Sequence, residues 1–231
     1  MLGREETLPQ GEESINFELY WKCREIHLEL IRAGKSIPFL IEFDSTNQPE
    51  PDDSNESRRL RKRPDFTCAL VDAQATDYRQ SQIRYTLECK RLGKAAGNWV
   101  FTENYSEHGM LRFRQPDHSY AKGARSGAMI GYVQNMTDDE LLKEVSQSAA
   151  QRGIPSLSKA AAAWVARTVM QLDQNPMTRD FDVIPIQLNH LWLDLRHCAF
   201  NPPSSRQRVS DPSKEPKKKA RKKALPRKVS Q

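Results

Sequence analysis

Two acidic residues and a lysine stand at the ends of two short apolar segments that follow one another in the sequence. Asp65 opens the segment DFTCALV, and Glu88 and Lys90 close the segment QIRYTLECK. Side chains alternate between the two faces of a strand, so Glu88 and Lys90 share one face. If the segments pair as antiparallel strands, Asp65 lies beside Glu88. The spacing therefore predicts two carboxylates and an ammonium group that converge on one point.

Such a cluster has a defined chemistry. Carboxylate oxygens are ligands that Mg²⁺ prefers, and the backbone carbonyl of Cys89, waters and a phosphate oxygen would complete its coordination. An ammonium group beside the metal, that of Lys90, would orient or deprotonate the attacking water and stabilise the charge that develops on phosphorus. We expect Mg²⁺ as the cofactor, with Mn²⁺ able to replace it. The ordinary alternative is that these are solvated charges at strand ends.

The elements that position this cluster follow from hydrophobic periodicity. Helices are predicted over residues 14–33, 99–114, 138–151 and 158–172, and strands over 37–43, 65–71, 82–90, 127–134 and within 182–195. Thr137 or Asp138 is expected to cap the third helix. The order predicts an α/β fold, a mixed sheet flanked by helices. We expect a flexible N-terminus over 1–13, one domain over 14–200 and a disordered basic tail over 201–231.

The pair Pro64-Asp65 followed by Glu88-Cys89-Lys90 resembles the motif of the PD-(D/E)xK nuclease superfamily, over roughly residues 14–134. The resemblance implies the restriction-endonuclease-like fold, with an α-β-β-β-α-β core. It also implies that Asp65 and Glu88 bind Mg²⁺ and that Lys90 assists the water. Tyr105, Gly109, the pair Arg112-Phe113 and the run GAMIGY are similar to a helix and a Gly-rich strand of some bacterial members.

The family also implies a function and a setting. We expect hydrolysis of phosphodiester bonds by a DNA endonuclease in anti-phage defence. Cutting both strands commonly needs two active sites, so a homodimer is expected as an assembly, with a defence-system protein as the other partner to consider. Two alternatives stay open: a non-catalytic nucleic-acid-binding subunit of a larger complex, and an RNA-cleaving toxin.

Several further residues are weaker candidates. Many family members use one more acid, and Glu42 on the IPFLIEF segment is the first choice here, ahead of Glu25 and Glu29 on the first helix. Arg112 and Arg114 are predicted phosphate contacts, although a basic residue on a helix is usually only solvated. His190 lies in an apolar run, and a half-buried histidine with satisfied hydrogen bonds is the favoured interpretation.

The charge is concentrated at the C-terminus. Residues 206–231 hold eleven Lys or Arg against two acids, a net +9, which leaves −3 on residues 1–205 of the total +6. Such a tail is attracted to polyanions by counterion release and carries no sequence specificity. Its predicted nucleic-acid contacts are Lys217, Lys218, Lys219, Arg221, Lys222 and Lys223.

Other classes of protein find no support in the sequence. The four cysteines form no CxxC pair, no secretory segment is recognisable, and no apolar run approaches the roughly 18 residues that span a bilayer. We therefore expect a reduced cytoplasmic protein that does not insert into a membrane. There is no Walker lysine loop and no Gly-x-Ser-x-Gly elbow.

Overall fold

The computed structural model is a mixed α/β structure built on one large sheet. It describes residues 7–9, 11–35, 38–47, 61–71, 74–76, 81–96, 100–166 and 168–201. The predicted disordered tail and its six candidate nucleic-acid contacts, from Lys217 to Lys223, lie outside these residues, as do residues 1–6.

Nine strands, three α-helices and a short 3-10 helix make up the described chain. In order they are β1 (Thr7–Pro9), α1 (Glu12–Arg32), β2 (Leu40–Phe43), β3 (Phe66–Val71), β4 (Gln82–Leu92), α2 (Phe101–Glu107), the 3-10 helix (Met110–Phe113), β5 (Ser126–Val133), α3 (Asp138–Gln151), β6 (Leu157–Ala166), β7 (Val169–Gln174), β8 (Gln187–Asp194) and β9 (Ala199–Asn201). The seven-stranded sheet has the order β2-β3-β4-β5-β8-β7-β6, and β1 pairs with β9 separately.

Three parallel strands, β4, β5 and β8, form the centre of the large sheet, and antiparallel strands flank them on both sides. The predicted antiparallel pairing of β3 with β4 is confirmed, with Phe66 opposite Leu87. β4 runs on past this point and pairs with β5, where Glu88 lies opposite Met129 and Lys90 opposite Gly131. The first residue of β3 therefore lies beside the part of β4 that carries Glu88 and Lys90.

Each face of the sheet packs against different helices because side chains alternate along the strands. On one face Met129 contributes to a core with residues of α2, the 3-10 helix and α3, among them Tyr105 and Phe113. On the other face Cys89 and Ile130 belong to a smaller core beneath α1. Glu88 and Cys89 are consecutive residues of β4, so their side chains lie on opposite faces of the sheet.

The helix predicted over 158–172 is wrong, because this segment forms the antiparallel pair β6 and β7. Alanine favours helices by only a few tenths of a kilocalorie per mole per residue, so tertiary pairing easily overrides it. In β7, Met170 and Leu172 are buried and alternate with more exposed residues. β7 also pairs with β8, whose edge would otherwise carry unpaired backbone groups.

Other predicted boundaries shift by a few residues. The N-terminal segment that we expected to be flexible over 1–13 includes β1, and α1 already begins at Glu12. Thr137 caps α3 as predicted and forms a reciprocal capping box with Glu140. The helix predicted over 99–114 is interrupted, with α2 ending at Glu107 and the 3-10 helix beginning at Met110.

Gly109 stands at this interruption and has no room for a side chain. A Cβ atom there would lie 2.4 Å from the backbone oxygen of Tyr105 and 2.5 Å from the Met129 side chain. We expect Gly109→Ala to lower the free energy of unfolding by about 1–3 kcal/mol, as overpacking in a core does. Urea denaturation measures this change. His108→Ala, which truncates the exposed neighbouring side chain, is the control, and equal stability of the two variants would show that the close approach is relaxed.

Candidate active site

The Lys90 ammonium group is the centre of a buried charged cluster. Its Nζ lies 2.8 Å from Glu88 Oε1 and 3.9 Å from Asp65 Oδ2. It also donates to Glu12 Oε1 at 2.8 Å and to the backbone oxygen of Cys89 at 2.6 Å. The Glu88 side chain is 0% exposed and that of Lys90 is 7% exposed. The structure thus brings Asp65, Glu88 and Lys90 together around one nitrogen atom.

Asp65 is oriented by groups on three elements. Its Oδ1 accepts a hydrogen bond from Asn16 Nδ2 at 2.9 Å, and its Oδ2 accepts one from the Cys89 backbone N–H at 2.7 Å. The Tyr132 hydroxyl in turn donates to Asn16 Oδ1 at 2.7 Å. Because α1 and β4 each donate to Asp65 and β5 holds Asn16 in place, the Asp65 carboxylate has little freedom to rotate.

Glu12 is an acid that the sequence did not single out. It opens α1, with Oε1 on Lys90 and Oε2 accepting from the Arg91 N–H at 3.1 Å. Acids favour the first turn of a helix, and this preference before the apolar run of α1 was the available signal. Asn16 was missed as well, although a polar residue next to Ile15 on the buried stripe of α1 is a recognisable anomaly.

The acids proposed from sequence for the extra position lie elsewhere. Glu42 is exposed on β2, opposite Thr67 of β3. Glu25 is exposed on α1 and pairs with Lys22, and Glu29 is exposed on the same helix. Within the described chain, no hydrogen bond or ion pair joins any of the three to Lys90, whereas Glu12 contacts it directly.

The two carboxylate oxygens of Glu88 differ in their partners. Arg112 donates to Oε1 and Lys90 forms an ion pair with the same atom, while Oε2 is buried and accepts no hydrogen bond from the described residues. A buried carboxylate oxygen without a partner is costly. Such an atom fits a ligand position for a divalent cation.

The electrostatics of the cluster follow from burial and from its excess of acids. Burial raises the pKa of Glu88 to about 8, although Lys90 opposes this change. Burial likewise raises the pKa of Asp65 above its ordinary value. Burial alone would lower the pKa of Lys90, but the Glu88, Asp65 and Glu12 carboxylates outweigh it and raise the pKa. Lys90 is therefore charged at neutral pH.

The two predicted phosphate contacts of the core differ in position. Arg112 lies in the 3-10 helix, donates to Glu88 and has its guanidinium carbon 6.0 Å from the centroid of the Tyr120 ring. Arg114 faces another way: it donates to the backbone oxygens of Arg152 and Gly153 at 3.0 and 3.1 Å. These bonds give Arg114 a structural use, so only Arg112 belongs to the cluster.

His190 is fully buried rather than half-buried, and it is satisfied as predicted. Its ring nitrogens bond to the Tyr105 hydroxyl at 2.9 Å and to Gln174 Oε1 at 3.1 Å. Burial lowers the pKa of His190 to about 3, so the ring is neutral at physiological pH. This network ties α2 to β7 and β8 in the core, away from Lys90.

The oxygen donors present are of the kind that hard divalent cations such as Mg²⁺ and Mn²⁺ prefer. No group of three or more His, Cys, Asp or Glu side chains converges as a metal cage among the residues that the structure describes. Mg²⁺ needs no such cage, because it is commonly held by one or two carboxylates together with waters and phosphate oxygens. Asp65 and Glu88, with the orphaned Glu88 Oε2 atom, provide such a pair.

Comparison with known proteins adds no identity. No family model, curated protein or solved structure matches this chain. Within the described residues, the helices are all too short or too polar to cross a bilayer.

The raised pKa of Glu88 predicts a pH-dependent stability in metal-free protein. The folded state holds this proton up to about pH 8, whereas a glutamate in the unfolded chain titrates near pH 4.3. The stability from Glu88 is therefore complete at low pH and is lost as the pH rises through about 8. In EDTA, we expect the free energy of unfolding of wild type, measured with urea, to fall between about pH 6.5 and about pH 8.5 relative to Glu88→Gln.

The two histidines whose pKa is lowered do not disturb this window. Burial lowers the pKa of His118 to about 4 and that of His190 to about 3, so the stability that they add is already complete above the ordinary histidine pKa of about 6.5. A difference between wild type and Glu88→Gln that stays constant over the window would contradict the raised pKa.

Proposed function

We propose that this chain is a Mg²⁺-dependent nuclease of the PD-(D/E)xK type. The observation that carries the proposal is the convergence of Asp65, Glu88 and Lys90 at one buried point, with an unpartnered oxygen on Glu88. The order α1, β2, β3, β4, α2, β5 supports it, because it is the α-β-β-β-α-β order that the restriction-endonuclease-like fold requires. Ordinary surface charges would not be buried at this density.

The residues divide the chemistry between them. Asp65 and Glu88, with the Cys89 backbone carbonyl, would hold Mg²⁺, which supplies Lewis acidity at the phosphate and acidifies water. Asn16 and Tyr132 fix the Asp65 carboxylate in place. These contacts are made before substrate arrives, which lowers the cost of orienting the reacting groups.

Lys90 would act as a hydrogen-bond donor. Since three carboxylates hold its pKa above the ordinary value, it is not available to remove a proton in this state. The sequence left open whether Lys90 orients or deprotonates water, and the geometry supports orientation and stabilisation of charge on the phosphate. Glu12, which accepts from Lys90 at 2.8 Å, is a positioning residue for the ammonium group.

We propose that the substrate is DNA and that the protein cuts it as an endonuclease in anti-phage defence. The family resemblance supports this choice, and the basic segment 206–231, with its net charge of +9, is consistent with any nucleic acid. A homodimer or a defence-system partner completes the proposal. An RNA-cleaving toxin would use the same site and would differ from a DNA endonuclease only in its substrate.

One observation favours a second candidate, a non-catalytic nucleic-acid-binding subunit. Lys90 and Arg112 together occupy Glu88 Oε1, which is how a purely structural ion-pair network would look. In this case metal would not be needed, and the cluster would serve only to join α1 to β4.

Cleavage assays decide between these functions. Wild type is incubated with plasmid DNA and with RNA in Mg²⁺, in Mn²⁺ or in EDTA. We expect metal-dependent cutting by wild type, and a loss of about 100-fold or more in both variants, because Glu88→Gln removes a charged metal ligand and Lys90→Met removes the ammonium group that stabilises the developing charge.

Glu42→Gln is the matched control, since it removes an exposed acid of β2 that lies outside the cluster. It should cut as wild type does. Absence of cleavage with every metal, together with unchanged nucleic-acid binding in Glu88→Gln, would contradict the nuclease function and favour the binding subunit. Cutting of RNA alone would establish the toxin as the better description.

A further inference from the structure

A basic cavity adjoins the charged cluster, and we call it the basic shelf. It has a volume of about 310 Å³ and is lined by Asp44, Arg61, Lys62, Arg63, Arg112, His118 and Tyr120. Four cations face one acid in this set. The shelf borders the candidate active site directly, because the Asp44 backbone N–H donates to the backbone oxygen of Asp65 at 3.0 Å.

Half of the positive charge on the shelf is not cancelled locally. Arg63 pairs with Asp44 at 3.1 Å, so these two charges neutralise one another. Within the described part of the chain, Arg61 and Lys62 form no ion pair. Their side chains are exposed and half-buried, respectively, so both can reach a ligand without unfolding anything.

Arg112 connects the shelf to the cluster. Its guanidinium lines the shelf and also donates to Glu88 Oε1. A ligand that contacts Arg112 from the shelf is therefore one side chain away from Glu88. Guanidinium groups bind phosphate oxygens in a bidentate manner, which makes phosphate the natural ligand of this surface.

His118 adds a neutral polar group to the shelf. Burial lowers the pKa of His118 to about 4, and the neighbouring Arg112 and Lys62 charges act in the same direction. Its Nδ1 atom is buried and has no hydrogen-bond partner among the described residues. A bound phosphate oxygen would accept a hydrogen bond from this nitrogen in the appropriate tautomer.

We propose that the basic shelf binds the backbone phosphate next to the phosphate that is hydrolysed, with Arg61, Lys62 and Arg112 as its cationic ligands. The proposal rests on the proposed nuclease function, since it places a second phosphate of the same strand beside the reacting one. The shelf thereby fixes the path of the strand past Asp65 and Glu88. Phosphate contacts of this kind set the position of the strand and read no sequence.

The test uses the double variant Arg61→Ala, Lys62→Ala in the full chain. Arg24→Ala, Arg32→Ala is the matched control, because it removes two exposed positive charges from α1. These positions lie about 18 and 30 Å along the helix from Glu12, given a rise of 1.5 Å per residue. Thermal unfolding of each variant checks that the fold is retained.

Binding is measured first, by fluorescence anisotropy of a labelled DNA duplex in EDTA over a range of KCl concentrations. Loss of one phosphate contact lowers the slope of log K against log salt by about 0.9 for duplex DNA. We expect this decrease in the shelf variant and no decrease in the α1 control, since contacts made by the basic tail are common to all three proteins.

Cleavage in Mg²⁺ is the second readout. We expect KM to rise about tenfold in the shelf variant while kcat stays within about threefold, because the reacting cluster is untouched. A salt slope and a KM equal to those of the control would contradict phosphate binding by the shelf. Cleavage by wild type in the same assay would still support the nuclease function. If wild type shows no cleavage, and the slope of log K against log salt is still lower in the shelf variant, the nuclease proposal fails and the phosphate site remains.

Discussion

The interaction on which the rest of this site depends is the attachment of the Lys90 ammonium group to three carboxylates. A fully buried Glu88 requires a cation close by, here Lys90 Nζ at 2.8 Å, to oppose the burial that favours its protonated form. This requirement accounts for features that otherwise look unrelated. α1 begins at the acid that meets Lys90, and β4 extends past the first residue of β3 as a strand, which keeps Glu88 and Lys90 on one face.

Stability alone does not explain such a cluster. A buried ion pair often contributes no more to folding than well-packed apolar residues of the same volume, because desolvation offsets the attraction. Here three acids, Asp65, Glu88 and Glu12, face only two cations, Lys90 and Arg112. The deficit is expressed in the raised pKa of Glu88, where burial and the nearby Asp65 charge both favour the protonated form. A divalent cation would remove the deficit that a proton now relieves.

The sequence predicted those parts of the site that depend on local pattern. Alternation along 82–90 indicated which side chains share a face, and the pairing of β3 with β4 then placed Asp65 near Glu88. Glu12 and Asn16 escaped because their role depends on how α1 lies against the sheet, which local periodicity does not encode. The hairpin of β6 and β7 escaped for the opposite reason: an alanine-rich segment favours a helix locally, and the edge of β8 decides otherwise.

Arg112 belongs both to the charged cluster and to the basic shelf. A single guanidinium cannot serve Glu88 and a phosphate on the shelf at full strength at the same time. A cation that replaced Arg112 on Glu88 would release it toward the shelf, and a phosphate that drew Arg112 away would leave Glu88 short of positive charge. Because coupling between two binding events is reciprocal, metal and phosphate would each strengthen the binding of the other. If both proposed ligands bind, the ion pair between Arg112 and Glu88 would be the contact through which the two sites influence one another.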